Sequence, residues 1–298
     1  MSATLAIAVA FALDRLVGEP PESFHPVVWF GTVVDRFDRD WPRPGVLGAG
    51  VAVFLPLGAA LVAGGAVAVA ATFGRLPGLV AAGFVLFVSV SLGSLVDTGS
   101  AVIREAATDP DRAATDARSL VGRDTATLGS GAIRSAAVES VAENLADGLV
   151  GPLLAFALGS FVSLPVAAGA TAWVKGVNTL DSMLGYRTHP MGRGSARLDD
   201  VVAWLPARLS AALLAIAAAN PGTLRTASRW AHAPASPNSG WPMVTIAAVL
   251  DVSLVKPGAY ALIPGRGLPD ESEAVAGVRI VERAGVLAFV LAGVIAWF

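Results

Sequence analysis

VLGAGVAVFLPLGAALVAGGAVAVAATF, residues 46–73, carries no charged side chain from end to end. As a helix it rises about 40 Å at 1.5 Å per residue. That exceeds the roughly 30 Å hydrocarbon core of a bilayer. Gly74, Arg75 and Pro77 mark a short turn, and Leu76–Val96 is apolar again. The reading is a helical hairpin through a membrane. Its flanks, residues 18–45 and 97–147, then share one side. They hold Arg36, Arg39, Arg43, Arg104, Arg112, Arg118, Arg123 and Arg134, whereas the hairpin tip holds Arg75 alone. Basic residues favour the cytoplasmic face, so the polar segments are expected there.

Composition agrees. The 298 residues are 54% hydrophobic and 15% charged, where soluble domains carry about a quarter charged residues. The net charge of −2 gives no electrostatic footprint for nucleic acid. The chain has no Cys, which excludes disulfides, thiolate catalysis and cysteine-held metals. Of 21 basic residues only Lys175 and Lys256 are lysines. No positive charge precedes the apolar run Ala3–Leu13, so it reads as a retained helix rather than a cleaved leader.

The expected fold is all-α: a polytopic integral membrane protein with four or five spans, re-entrant or broken helices, and one cytoplasmic helical insertion, 97–148. Residues 1–298 form one membrane-embedded domain. Leu149–Val174 contains Pro152, Gly159 and Pro165. If the polar stretches on either side of it share a face, it crosses an even number of times, as paired half-helices broken near Gly159–Pro165. Val201–Ala219 carries Arg208, which should face protein, water or an anion rather than lipid. Residues 220–242 read as a polar loop, Val244–Val255 as a short apolar helix, and Ala284–Phe298 as a marginal final segment.

Several polar constellations interrupt this background. In AAVESVAENLADG, residues 136–148, Glu139, Glu143 and Asp147 recur every fourth residue, with Asn144 beside the second. Such positions share a helix face, where like charges repel. A magnesium ion or a substrate ammonium would relieve that repulsion; a solvated face is the competing reading. Ser130 or Ser135 would cap this helix and Gly148 would stop it.

KGVNTLDSMLGYR, 175–187, places Asn178 and Asp181 three apart, and GSARLDD follows at 194–200. Arg187 and Arg197 suit phosphate or carboxylate. Asp199 and Asp200 suit a metal, or a cap on a helix starting near Val201. SPNSGWP, 236–242, makes a rigid turn able to cradle an anion through backbone N–H groups. His25, in GEPPESFHP at 18–26, suits acid–base or ligand chemistry, although a lone His is more often structural. His189 reads as a surface residue. No GxxxxGK[ST], strand-linked GxGxxG, HExxH or GxSxG occurs.

Taken in order, LDRLVGEPP…HPV, VGRDTATL, AAVESVAENLADGLVGPL, VNTLDSMLGYR, SARLDDVVAWLPARL and SPNSGWP resemble the motif succession of the adenosylcobinamide-phosphate synthase family, also called CobD or CbiB. The resemblance runs from about residue 5 to 250. It implies a multi-pass cell-membrane enzyme of cobalamin biosynthesis, an ATP-dependent ligase with active-site loops in the cytoplasm. That family joins aminopropanol, or its O-phosphate, to a propionate carboxyl of adenosylcobyric acid. ATP and Mg²⁺ are implied as co-substrates through an acyl phosphate, with no permanently bound cofactor. The implied partners are the corrinoid, the amine, membrane lipid and other late cobalamin-pathway enzymes.

The resemblance weights the constellations. Glu139, Glu143 and Asp147 become the metal set. Asp181, Asp199, Asp200 and His25 become the catalytic set. Arg187, Arg197 and Arg208 hold phosphate, with Asn144, Asn178, Ser182, Tyr186 and Asn238 contacting substrate. Met243 stands where many members of the family carry Glu. Two rival readings are a non-enzymatic membrane sensor of the AmpE type and a transporter. The dense NTLDS and RLDD set opposes the first, and the absence of an internal repeat opposes the second.

Overall fold

The computed structural model describes residues 2–109, 112, 113, 115, 128–185 and 190–298. It is an all-α membrane protein. Among the described residues, three helices are long and apolar enough to cross a bilayer: Pro44–Thr72, Arg75–Thr108 and Ser130–Gly159. A fourth is reached if the bent pair Arg193–Val202 and Trp204–Ala217 is taken as one span. The last long helix is not among these described spans: Glu271, Glu273, Arg279, Glu282 and Arg283 charge its first half.

The chain divides into two compact units. Unit one comprises residues 1–91, 147–203 and 289–298. Its helices are α1 (Ser2–Leu16), α2 (Pro26–Asp35), α3 (Pro44–Thr72) and α4 (Arg75–Phe87). They are joined by α7 (Gly151–Gly159), α8 (Leu164–Leu184) and α9 (Arg193–Val202). The α3–α4 hairpin turns at Phe73 and Gly74, where Gly74 has φ +128, a value that L side chains rarely adopt. Pro44 opens α3, where its missing N–H costs nothing.

α7 and α8 form a helical pair broken at 160–163, within the stretch that Gly159 and Pro165 marked. Ser163 restarts the chain as N-cap of α8, accepting from Val166 N at 3.3 Å. α8 then runs antiparallel to α3 at close range. A Cβ on Gly64 would lie 2.9 Å from Pro165 O, and one on Gly169 would lie 3.0 Å from Ala60 O. Small residues permit this approach, as they do between membrane helices generally. Further along, Gly176 rests on Pro56 and Phe30. Leu180, Leu184 and Met191 close the core with Val34, Val51 and Ala52. α9 packs on the start of α3, Gly194 against Gly48 and Ala49. α3 presents Phe54, Leu57, Leu61, Val62 and Val69 outward, a surface suited to lipid.

Unit two comprises residues 92–146 and 204–288. It holds α5 (Leu92–Thr108), α6 (Ser130–Leu145), α10 (Trp204–Ala217), α11 (Thr223–Trp230) and α12 (Gly240–Leu250). A two-stranded antiparallel hairpin, β1 (Leu254–Lys256) and β2 (Tyr260–Leu262), follows. The long helix α13 (Glu271–Ile295) begins in this unit. It is opened by a reciprocal cap: Asp270 Oδ1 accepts from Glu273 N and Glu273 Oε2 accepts from Asp270 N, both at 2.8 Å.

Three sequence expectations are corrected here. Gly148 does not stop the acid-bearing helix: a π-turn, Ala146–Val150, carries it on into α7. A π-turn absorbs an extra residue without ending the hydrogen-bonded run. The expected loop 220–242 contains α11, whose apolar positions fall on one helical face. Asp199 and Asp200 lie inside α9 and cap nothing at Val201, since the following helix starts at Trp204.

Candidate functional site

In unit one, three elements converge on Lys175. The side chain stands midway along α8, partly buried, where Gly176 fixes the helix against Phe30 of α2 and Pro56 of α3. Glu19, from the segment between α1 and α2, and Asp147, from the π-turn, lie within its electrostatic reach. His25 lies within reach of both Lys175 and Glu19.

His25 is the N-cap of α2, with Nδ1 accepting from Val27 N at 3.2 Å. That bond uses the Nδ1 lone pair, so the neutral ring carries its proton on Nε2 and acts as a donor. Burial holds its pKa below the ordinary 6.5; Glu19 pulls it up and Lys175 pushes it down.

Asn178 and Ser182 sit three and seven residues beyond Lys175 on the same side of α8. The Ser182 hydroxyl donates to Asn178 O at 2.9 Å. Asp181 lies in the last turn of α8, which Gly185 caps: Gly185 N donates to Asp181 O at 2.7 Å, and a Cβ at Gly185 would run into the Asp181 carboxylate. Asp199 and Asp200 are partly buried on α9, and Arg197 is exposed there. Tyr186, Arg187 and His189 lie outside the described residues.

In unit two, Glu139 is 6% exposed and accepts from Tyr260 Oη at 2.8 Å. One turn earlier, Ser135 Oγ accepts from Val255 N at 2.9 Å. Both bonds seat the β-hairpin on α6. Met243 is buried, its sulfur 3.9 Å from Tyr260 Oη. Glu143 is partly buried, and Asn144 turns back on its own helix, donating to Ser140 O at 3.0 Å and to Ser140 Oγ at 3.2 Å.

Arg208 does face protein. Its Nη1 donates to Asn238 Oδ1 at 2.6 Å and to Trp204 O at 2.8 Å, and Nη2 donates to Pro237 O at 3.3 Å. The guanidinium lies 4.6 Å from the Trp204 ring centroid and 5.2 Å from that of Trp241. SPNSGWP is thus gripped from α10. A Cβ on Gly240 would run into the carbonyl of Ala231, so the turn also abuts the end of α11.

Among the described residues no group of three or more His, Asp or Glu side chains is placed to hold a metal ion. Glu139 and Glu143 belong to unit two and Asp147 to unit one.

Sequence reasoning passed over Glu19, Lys175 and Tyr260. The scarcity of lysine was the available signal for Lys175. Tyr260 carried none, because its partner lies 121 residues away.

The fold and its polar clusters define a polytopic helical membrane protein with chemistry-bearing side chains set among apolar helices. The CobD/Cbib protein family model matches residues 7–284. The chain belongs to that family, and its place is in cobalamin biosynthesis. It is 34% identical to the "Probable cobalamin biosynthesis protein CobD" of Methanothrix thermoacetophila, over 97% of this chain and 95% of that protein. It is 36% identical to the "Cobalamin biosynthesis protein CobD" of Rhodobacter capsulatus, over 88% of this chain and 84% of that one. It is 35% identical to the "Probable cobalamin biosynthesis protein CobD" of Pyrococcus abyssi, over 91% and 89%. No solved structure matches the chain.

Proposed function

We propose that this protein forms the amide bond between adenosylcobyric acid and aminopropanol or aminopropanol O-phosphate. Membership of the CobD/Cbib family across residues 7–284 is the observation that carries the reading. Amide formation from a carboxylate and an amine is uphill in water, so the reaction consumes ATP. The propionate oxygen attacks the γ-phosphorus, releasing ADP and leaving an acyl phosphate. The amine nitrogen then attacks the acyl carbon, inorganic phosphate departs, and the nitrogen loses its proton.

The chain's residues can be assigned to these steps. The His25 Nε2–H is a donor to oxyanions. Asp181, Asp199 and Asp200 are the candidates for receiving the amine proton. Asn178 and Ser182 offer hydrogen bonds along α8. The Arg36, Arg39 and Arg43 cluster supports a cytoplasmic location for this end of unit one, where ATP is present.

Purified protein is incubated with adenosylcobyric acid, ATP and Mg²⁺ plus either amine, and the corrinoid product is weighed by mass spectrometry. Product with one amine, dependent on ATP, is expected. No product with either amine overturns the reading. Product without a nucleotide overturns the ligase mechanism.

A further inference from the structure

We propose that Arg208 and Trp241 bind a phosphate group in unit two. The position of the site rests on contacts within that unit. The assignment of its ligand to a substrate rests on the amide-forming reading above.

The guanidinium carries five N–H donors. Three are spent on protein: both on Nη1, to Asn238 Oδ1 and Trp204 O, and one on Nη2, to Pro237 O. Asn238 and Pro237 are consecutive, so their acceptors take the end of the fork where Nη1 and Nη2 lie side by side. The edge left over is Nε–H with the second Nη2–H. Such a parallel pair grips an oxyanion bidentately. Arg208 is half-buried, and among the described residues no carboxylate pairs with it. Residues 201–250 contain no Asp or Glu at all. A half-buried charge without a partner is costly, and an anion on the open edge relieves that cost.

Trp241 points to the same ligand independently. Its ring centroid lies 5.2 Å from the guanidinium. Its Nε1 is shut off from solvent and has no acceptor among the described residues. Buried N–H donors are nearly always paired. An oxyanion on the Arg208 edge supplies the acceptor. Three donors from two side chains suit the several oxygens of a phosphate, whereas a carboxylate is satisfied by the fork alone. The cluster opens outward at Trp204, which is 55% exposed.

The proposed reaction has two sources of phosphate, the nucleoside triphosphate and the O-phosphate of the amine. Full-length protein in phospholipid-free detergent is titrated with each, and the rise in thermal midpoint gives the Kd. The arms are a magnesium-bound non-hydrolysable ATP analogue, aminopropanol O-phosphate, inorganic phosphate, and acetate as the carboxylate comparison. One phosphate ester should bind more tightly than the other and so identify the source, and acetate should bind more weakly than inorganic phosphate. An unmoved midpoint in every phosphate arm overturns the proposal. Acetate binding as tightly as inorganic phosphate overturns it too.

Trp241→Phe keeps the ring and removes the N–H. Its ligand-free midpoint should hold or rise, because the donor it loses has no acceptor to lose. Its Kd for the bound phosphate should rise roughly 10- to 100-fold, the worth of one hydrogen bond to a charged group. Arg208→Lys should weaken binding at least as much, since an ammonium has no fork. An unchanged Kd in Trp241→Phe overturns the site, whether or not Arg208→Lys folds. Failure here is separable from failure of the reaction. Amide product from a protein whose phosphate affinity ignores Trp241→Phe sinks the site alone. Affinity that follows Trp241→Phe without amide product sinks the reaction alone.

Discussion

The Tyr260 hydroxyl donates to Glu139 Oε1 across 2.8 Å, joining two residues 121 positions apart. Glu139 is a buried carboxylate in α6, so its acceptor capacity must be met by protein. The sequence reading placed Glu139 in a cation-binding set; the structure places a phenol on it.

Two substitutions separate structure from charge at this position. Tyr260→Phe removes the donor and keeps the ring, and should cost about 1–3 kcal/mol of stability, since a buried acceptor loses its partner. Glu139→Gln keeps an oxygen for the Tyr260 hydroxyl and should hold the thermal midpoint near that of the parent. If Glu139 only anchors the β-hairpin, Glu139→Gln keeps amide-forming activity. A loss above tenfold at an unchanged midpoint would show that the negative charge itself is required.

The Arg208 grip on SPNSGWP makes a second prediction. Asn238→Ala leaves the buried part of the guanidinium without its shortest hydrogen bond and should cost about 1–3 kcal/mol. Arg208→Lys should cost a similar amount, because an ammonium cannot serve Asn238, Pro237 and two indole rings from one plane. The double variant should fall short of the sum, since each change removes the same contact. Additive losses in denaturant titrations would mean that the two residues act independently.

How much of this was readable in the sequence depended on the range of the signal. The α3–α4 hairpin and the broken α7–α8 pair were legible because proline, glycine and apolar length act locally. The continuation of the acidic helix through the π-turn was not: Gly148 is a plausible stop when only neighbours are considered, and burial of 149–153 carries the helix past it. The site residues followed the same division. Arg208, sitting in an apolar run, was expected to avoid lipid, but whether it met protein, water or an anion depended on where α10 meets 236–242. Lys175, Glu19, His25 and Asp147 come from separate stretches of chain, so no spacing rule links them. Only packing brings them together.

His25 gives stability a pH dependence. Its folded pKa lies below the ordinary 6.5 because burial penalises the charged ring. Its contribution is therefore complete above about pH 6.5 and is lost as pH falls through that value toward the lower folded one. Protonation also removes the Nδ1 acceptor that caps α2. His25→Asn supplies a cap that does not titrate. Thermal midpoints from about pH 5 to pH 8 should decline on the acid side in the parent and decline less in His25→Asn. Identical acid limbs in the two proteins would remove His25 from the account.

The packing of α9 fixes which end of α3 shares a membrane face with the 175–200 segment. Gly194 rests on Gly48 and Ala49, and a Cβ at Gly48 would run into the Met191 carbonyl, so Arg193 lies at the start of α3. Arg39 precedes that start and Arg75 follows the far end, about 43 Å away for a helix of 29 residues. Arg39 and Arg193 should therefore face one compartment and Arg75 the other. The chain has no native cysteine, so single-cysteine variants report without background. In sealed vesicles, Arg39→Cys and Arg193→Cys should react with a membrane-impermeant maleimide from the same side, and Arg75→Cys only from the opposite side. Arg193→Cys reacting from the Arg75 side would break the antiparallel α3–α8 arrangement. It would also separate Asp199 and Asp200 from the arginine-rich face on which the proposed chemistry depends.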